Sequence, residues 1–240
     1  MGAWQFSAEL SYRHRGWHKV FSSNLFLYLF FPPVVFLHTL ALIVFPKSTA
    51  PANATLLLVS ILLYYWGNGP TVVLLGLTIL ITAGIGHKIS VSSAQSGLRL
   101  LWIGAGLNLL ALFYYKYFAF TAGLLLPAAL QQSALKATSG GIDNLPVGIS
   151  FYTFMAISYL VEVWRRKVEP ANLLTFGTYL SMFPHLIAGP IVRYSEIEQR
   201  LVQRTVSVDR AFEGLWRFSI GFGQKVILAP RRSEWVVSGC

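Results

Sequence analysis

Histidine is the side chain whose proton moves most readily near neutral pH, and the 240-residue chain contains five. His185 lies in Phe183-Pro184-His185-Leu186-Ile187-Ala188-Gly189-Pro190. A neutral imidazole in such apolar surroundings can accept or pass on a proton, or act as a structural hydrogen-bond donor. His14 and His18 have the i,i+4 spacing of helical metal ligands, but Gly16 and flanking arginines interrupt the site and no third ligand is near. No metal is expected there. Lys116 lies inside Tyr114-Tyr115-Lys116-Tyr117-Phe118, within a long apolar run. A lysine at membrane depth marks function unless it snorkels to the interface, where tyrosines also gather. No Ser-His-Asp order or carboxylate pair can be assembled, and the Gly84-Ile85-Gly86 and Gly104-Ala105-Gly106 triplets open no phosphate loop. Their glycines sit in apolar runs, where they permit close helix packing.

A second group shares one face. With residues 148–166 taken as a helix at about 100° per residue, Gly148, Tyr152, Met155, Tyr159, Glu162 and Arg166 form one narrow stripe. Phe154, Ile157, Leu160 and Val161 fall on the other side. Two phenols, a carboxylate and a guanidinium imply a face turned towards protein or water rather than lipid. Glu162 and Arg166 are in the favourable i,i+4 order for an ion pair. The stripe is either a helix–helix contact closed by that salt bridge or the wall of a cavity.

The elements that carry these residues are those of a membrane protein. Hydrophobic residues make up 55% of the chain and charged residues 12%, half of the roughly 25% charge usual in soluble domains. Mean hydropathy is +0.57. The expected fold is all-α and polytopic, with about six or seven membrane segments. Residues 25–45 form the first apolar run, longer than the core of a signal peptide and followed by further spans. The runs at 55–66 and 71–85 are each short for a bilayer and are split by the turn-forming Gly67-Asn68-Gly69-Pro70. Helix beyond the apolar runs, local thinning or a re-entrant hairpin must supply the difference. Residues 100–126 form a long run that Pro127 ends, and 131–144 read as a polar loop. Residues 145–163 form a further helix. Residues 173–192 are apolar but broken by Pro184, Gly189 and Pro190, and 212–229 are the weakest spanning candidate.

Net charge is +10, yet the basic residues sit in short clusters between apolar runs rather than along one face. That excludes a nucleic-acid surface and suits orientation against anionic lipid. Segment 173–192 has basic clusters on both sides: Arg165, Arg166 and Lys167 before it, Arg193, Arg200 and Arg204 after it. A re-entrant path that keeps both flanks cytoplasmic resolves this. The single cysteine, Cys240, can form no internal disulfide.

Leu145-Pro146-Val147-Gly148-Ile149-Ser150-Phe151-Tyr152-Thr153-Phe154 resembles a motif of the membrane-bound O-acyltransferases. Met182-Phe183-Pro184-His185-Leu186-Ile187-Ala188-Gly189-Pro190 is similar to a second, in the form found in the alginate-acetylation branch. Val20-Phe21-Ser22-Ser23-Asn24-Leu25-Phe26-Leu27 and Tyr115-Lys116-Tyr117 resemble that branch too. The resemblance covers about residues 20–229 and implies the N-terminal half of such an acyltransferase, in the bacterial cytoplasmic (inner) membrane. It implies acetyl transfer to an exported polysaccharide, with acetyl-CoA or another acyl donor as co-substrate and no bound cofactor. The implied partners are the lipid bilayer, the polysaccharide and export-side acetylation proteins, with no nucleic acid.

The family's catalytic histidine lies in an apolar Trp-His context that this sequence lacks. His185 matches a different motif histidine, so catalysis is not carried onto it. A tunnel-lining role falls to His185, Tyr152, Tyr159, Glu162, Arg166 and Lys116. Residues 1–19 read as an upstream extension, and 230–240 as a tail after a frameshift or premature stop. The chain is then expected to be inactive alone. Two rivals remain: a transporter or channel subunit, which predicts inverted repeats that the sequence does not show, and a non-catalytic membrane partner of a polysaccharide-modifying complex.

Overall fold

The structure is a computed structural model that describes residues 25–117, 121, 146–186, 189, 191–204 and 207–224. Every regular element among them is helical: α1 (Phe31–Val44), α2 (Ala50–Asn68), α3 (Val72–Val91), α4 (Ala94–Lys116), α5 (Ile149–Trp164), α6 (Leu173–Ser181), α7 (Phe183–Leu186), α8 (Tyr194–Val202) and α9 (Val208–Gly223). Residues 1–19, the loop at 131–144, Pro127 and the tail at 230–240 lie outside the described residues.

The chain forms two compact units. One joins residues 1–46 with 205–240, and the other comprises residues 47–204. In the first, a π-helical segment, Leu25–Phe30, leads into α1. Pro32 and Pro33 occupy the first turn of α1, where a missing N–H leaves no bond unmade. Phe31 stacks on Phe218 of α9 with ring centroids 4.7 Å apart.

The second unit holds the membrane-length helices. The short runs at 55–66 and 71–85 gain their length from helix beyond them. The 19 residues of α2 and 20 of α3 each rise about 30 Å, enough for a hydrocarbon core. The break between them is Gly69, whose φ of +58° an L side chain rarely adopts, followed by a 3₁₀ turn. Residues Ala50–Val91 and Ala94–Lys116 are long and apolar enough to cross a bilayer, and only 39% and 33% of their most apolar windows are buried inside the protein. A soluble core helix would be mostly buried. Here Trp66 and Trp102 are about 70% exposed, as side chains facing lipid would be.

Helix α5 is the centre of this unit and packs against α3, α4, α6 and α8. The predicted stripe is buried at Tyr152, Met155, Tyr159 and Glu162, and so is Leu160 on the other side of the helix. The cause is α4: Gly104 approaches so closely that a Cβ there would lie 2.6 Å from Leu160 Cδ1. On the opposite face, a Cβ on Gly86 of α3 would lie 2.8 Å from the Tyr159 ring. One glycine of each triplet therefore makes a helix contact, while Gly84 and Gly106 face open space.

Segment 173–192 breaks just ahead of Pro184, and Pro190 lies outside the described residues. Helix α6 ends at Ser181, Met182 is non-helical, and α7 is a single turn around Pro184. Both ends of the segment return to the same part of α5. Tyr159 Oη accepts a bond from Ala171 N at 3.0 Å, just before α6. The Tyr159 ring also meets that of Tyr194, just after the segment, edge to face at 5.3 Å.

Candidate functional site

One face of α2 carries Asn53, Ser60, Tyr64 and Asn68, at spacings of seven, four and four residues that align them along the helix. Together they bind three other backbone segments. Asn53 Nδ2 donates to Leu201 O at 2.9 Å, and Ser60 Oγ accepts from Phe183 N at 3.1 Å. Tyr64 Oη donates to Val147 O, and Asn68 Oδ1 accepts from Val147 N, both at 3.1 Å. Thr178 Oγ1 completes the set by donating to Asn53 O at 3.1 Å. Hydrogen bonds between membrane helices contribute about 0.6 kcal/mol each on average, so the stripe acts as a register device rather than as one dominant bond.

The two sequence motifs meet on this face. Gly148 has φ +82°, and a Cβ there would lie 2.3 Å from Leu186 O. The left-handed turn lets the start of α5 rest on the end of α7, while Tyr64 and Asn68 hold Val147 and Ser60 holds Phe183. The signal for this stripe was present in the sequence as polar residues at helical spacing in and beside an apolar run, but Asn68 was read only as part of a turn and the other three were assigned no role.

The expected Glu162–Arg166 pair does not form. Helix α5 ends at Trp164, and Arg166 adopts a left-handed φ of 56°, which turns it out of helical phase. Its guanidinium instead donates to the carbonyls of Ser90 and of Ser92 (3.0 Å), at the C-terminal end of α3. A cation there satisfies carbonyls left free by the helix. Glu162 is buried and turns the other way. Its carboxylate accepts from Ser195 N at 3.1 Å and Ser195 Oγ at 2.7 Å, capping α8, with Lys167 Nζ at 3.5 Å. A double-mutant cycle of Glu162→Gln and Arg166→Gln should therefore give a coupling within about 0.5 kcal/mol of zero. A clearly larger coupling by thermal unfolding would restore the pair.

The face of α8 beyond the cap is electrostatically strained. Burial, and then the charges of Glu169 and Glu162, hold the Glu198 carboxyl above its ordinary range. A raised carboxyl binds its proton more tightly in the folded chain, so stability falls as pH rises from the ordinary value through the raised one. Glu198→Gln should remove that fall, read as a smaller drop in melting temperature between pH 4 and pH 7.

Tyr159, Phe176, Tyr179 and Tyr194 form a continuous aromatic cluster, with centroids 4.4–6.0 Å apart. Tyr179 Oη donates to Val192 O at 2.8 Å. His185 lies at the edge of this cluster, buried, with Nε2 donating to Tyr179 O at 2.8 Å. That bond places the proton on Nε2 and leaves Nδ1 as the acceptor. Lys116, the last residue of α4, is exposed. Its ammonium lies 3.4 Å from Ser150 Oγ and 5.4 Å from the centre of the Tyr117 ring. It is a helix-end lysine among tyrosines, apart from the α5 stripe.

The chain is 34% identical over 213 residues to the "Probable alginate O-acetylase AlgI" of Pseudomonas putida. To the protein of the same description in Pseudomonas aeruginosa it is 33% identical over 220 residues. In each case the match covers 88% of this chain. The chain is a homologue of the alginate O-acetylases. A peptidoglycan O-acetyltransferase of Helicobacter pylori is 26% identical over 258 residues, covering 92% of this chain. The chain spans 42%, 40% and 46% of these three relatives. No family model matches it, and no solved structure does.

The similarity to these O-acetylases agrees with the resemblance that the motifs carry. Of the six residues assigned to a tunnel wall, Tyr152, Tyr159 and Glu162 share the buried face of α5. His185 joins them through Tyr179 and the aromatic cluster. Arg166 and Lys116 do not: one caps α3, and the other sits exposed at the end of α4.

Proposed function

We propose that this chain belongs to a membrane O-acetyltransferase that esterifies a hydroxyl of an exported polysaccharide such as alginate. In that reaction the hydroxyl oxygen attacks the carbonyl of an acetyl donor, acetyl-CoA or another acyl carrier. The hydroxyl proton passes to a base, and the donor leaves with the electron pair of the broken bond. The observation that carries this reading is the meeting of both O-acyltransferase motifs on the polar face of α2. That face fixes both motifs beside the aromatic and carboxylate face of α5, which we assign to the tunnel wall with Tyr152, Tyr159, Glu162 and His185 on it.

The topology that fits has about six or seven segments in the bacterial inner membrane. Residues 173–192 dip in and leave on the cytoplasmic side, as the return of both ends to Tyr159 supports.

Labelled acetyl donor supplied to membranes that contain this protein should yield base-labile acetate on the polysaccharide. Membranes from cells with the gene disrupted should lose most of that incorporation. Equal incorporation with and without the gene would contradict the proposal and favour a transport or docking role.

A further inference from the structure

Helix α9 divides lengthwise into a charged side and an apolar side. At about 100° per residue, Asp209, Arg210, Glu213 and Arg217 fall within an arc of about 100°. Phe212, Leu215, Trp216, Phe218 and Phe222 fall outside it, and Ile220 is the one large apolar side chain of α9 on the charged side. There Arg217 donates to Glu213 at 2.5 Å. Ser219 lies on the apolar side, but its hydroxyl donates to Leu215 O at 2.9 Å and so is met within the helix.

Among the described residues, only one flank of the apolar side is covered. Phe218 stacks on Phe31 of α1, and Phe222 stacks on Phe218 with centroids 6.0 Å apart. The other flank is open. Phe212 is 71% and Trp216 61% exposed, and Leu215 is more than half exposed. Neighbouring large apolar side chains of this kind do not suit water. A bilayer crossing does not suit α9 either. Its 16 residues rise about 24 Å, against a hydrocarbon core of about 30 Å. Glu213 and Arg217 flank its midpoint with largely exposed side chains, and a crossing would set both among acyl chains at the depth where charge is least tolerated.

Lying along the bilayer surface satisfies both sides, with the apolar side in the acyl boundary and the charges among headgroups and water. Trp216 borders the charged side, where an indole can bridge hydrocarbon and headgroup. The two acids and two bases of α9 balance, so apolar burial rather than attraction to anionic lipid must hold it.

We propose that α9 is an in-plane membrane helix whose Phe212, Leu215 and Trp216 face docks on the acyl boundary of a phospholipid bilayer, zwitterionic lipid included. The inference takes the first part of the 212–229 run out of the crossing segments, and it does not depend on the acetyltransferase reading.

The test uses the full chain carrying Cys240→Ser, in phosphatidylcholine vesicles, with one nitroxide-labelled cysteine at a time. Asp209→Cys, Glu213→Cys and Arg217→Cys report the charged side; Phe212→Cys, Leu215→Cys and Ser219→Cys report the apolar side. All six positions are exposed, so the labels displace no packed side chain. Power saturation with oxygen and with a water-soluble nickel chelate reads the depth of each label. The apolar-side labels should favour oxygen at one shallow depth, differing by less than about 5 Å, the rise of one turn. The charged-side labels should favour nickel. A steady change of about 10 Å in depth from position 212 to 219, with oxygen favoured at 213 or 217, would show a crossing helix and overturn the inference. Apolar-side labels reached by neither reagent would show a protein covering, and labels there that favour nickel would show a face in water; either result overturns it as well.

Discussion

Gly148→Val should be the most damaging single change in the described chain. Gly148 has φ +82°, and its added Cβ would meet Leu186 O at 2.3 Å, a contact with backbone that no rotamer can relieve. The left-handed conformation costs a β-branched residue roughly 1–3 kcal/mol, and forcing the carbonyl away adds a similar amount. Because Val147 is held by Tyr64 and Asn68 on one side of the turn, the strain should pass into the start of α5 and into α7 rather than dissipate. The expected result is a loss of about 3 kcal/mol or more, read as a lower melting temperature in detergent and a collapse in folded yield. Gly148→Ala should show most of the same loss, since the clash begins at Cβ. A Gly148→Val protein that melted within a degree of the wild type would remove the Gly148–Leu186 contact from the account.

Glu162→Ala should rank second and should act at a distance in sequence. The buried carboxylate takes two bonds from Ser195 at the first turn of α8, and such charge-assisted bonds contribute about 1.5–3 kcal/mol each before compensation by water. The favourable field of the helix N-terminus adds up to about 1 kcal/mol. Lys167 contributes little, because its side chain is more than half exposed and well screened. A net loss of about 3 kcal/mol is expected, with hydrogen exchange accelerated first in α8. Glu162→Gln keeps an oxygen that can accept from Ser195 and should lose about 1 kcal/mol. If the alanine and glutamine variants were equally damaged, the charge rather than the cap would be the source of stability.

These effects show where sequence reasoning reached and where it stopped. The spacing of Tyr152, Met155, Tyr159 and Glu162 identified the buried face of α5, because helical phase is a local property. The same spacing misplaced Arg166, since the helix ends two residues earlier and a left-handed residue resets the phase. Periodicity does not reveal such an end when no glycine or proline marks it. Leu160 was placed only on the side away from the stripe, because nothing local announces the neighbour there, although Gly104 was recognised as a site of close approach. His185 could be read only as a proton carrier or a structural donor, and its bond to Tyr179 O depends on how α6 breaks. The α2 stripe of Asn53, Ser60, Tyr64 and Asn68 lies at regular helical spacing but went unread, because Asn68 was taken as part of the turn that closes the helix. What each polar group binds is a long-range fact, 79 residues away for Asn68 and Val147 and 123 for Ser60 and Phe183.

The most direct measurement concerns the path of residues 173–192, the segment that brings α7 to α2 and whose two flanks both meet Tyr159. Single cysteines at Lys167→Cys and Arg200→Cys, in a chain carrying Cys240→Ser, would be labelled in sealed vesicles of known orientation with a membrane-impermeant maleimide. Reaction of both positions from the same side is the predicted result. Labelling from opposite sides would show that the segment crosses once, and would contradict the re-entrant arrangement on which the proposed site depends.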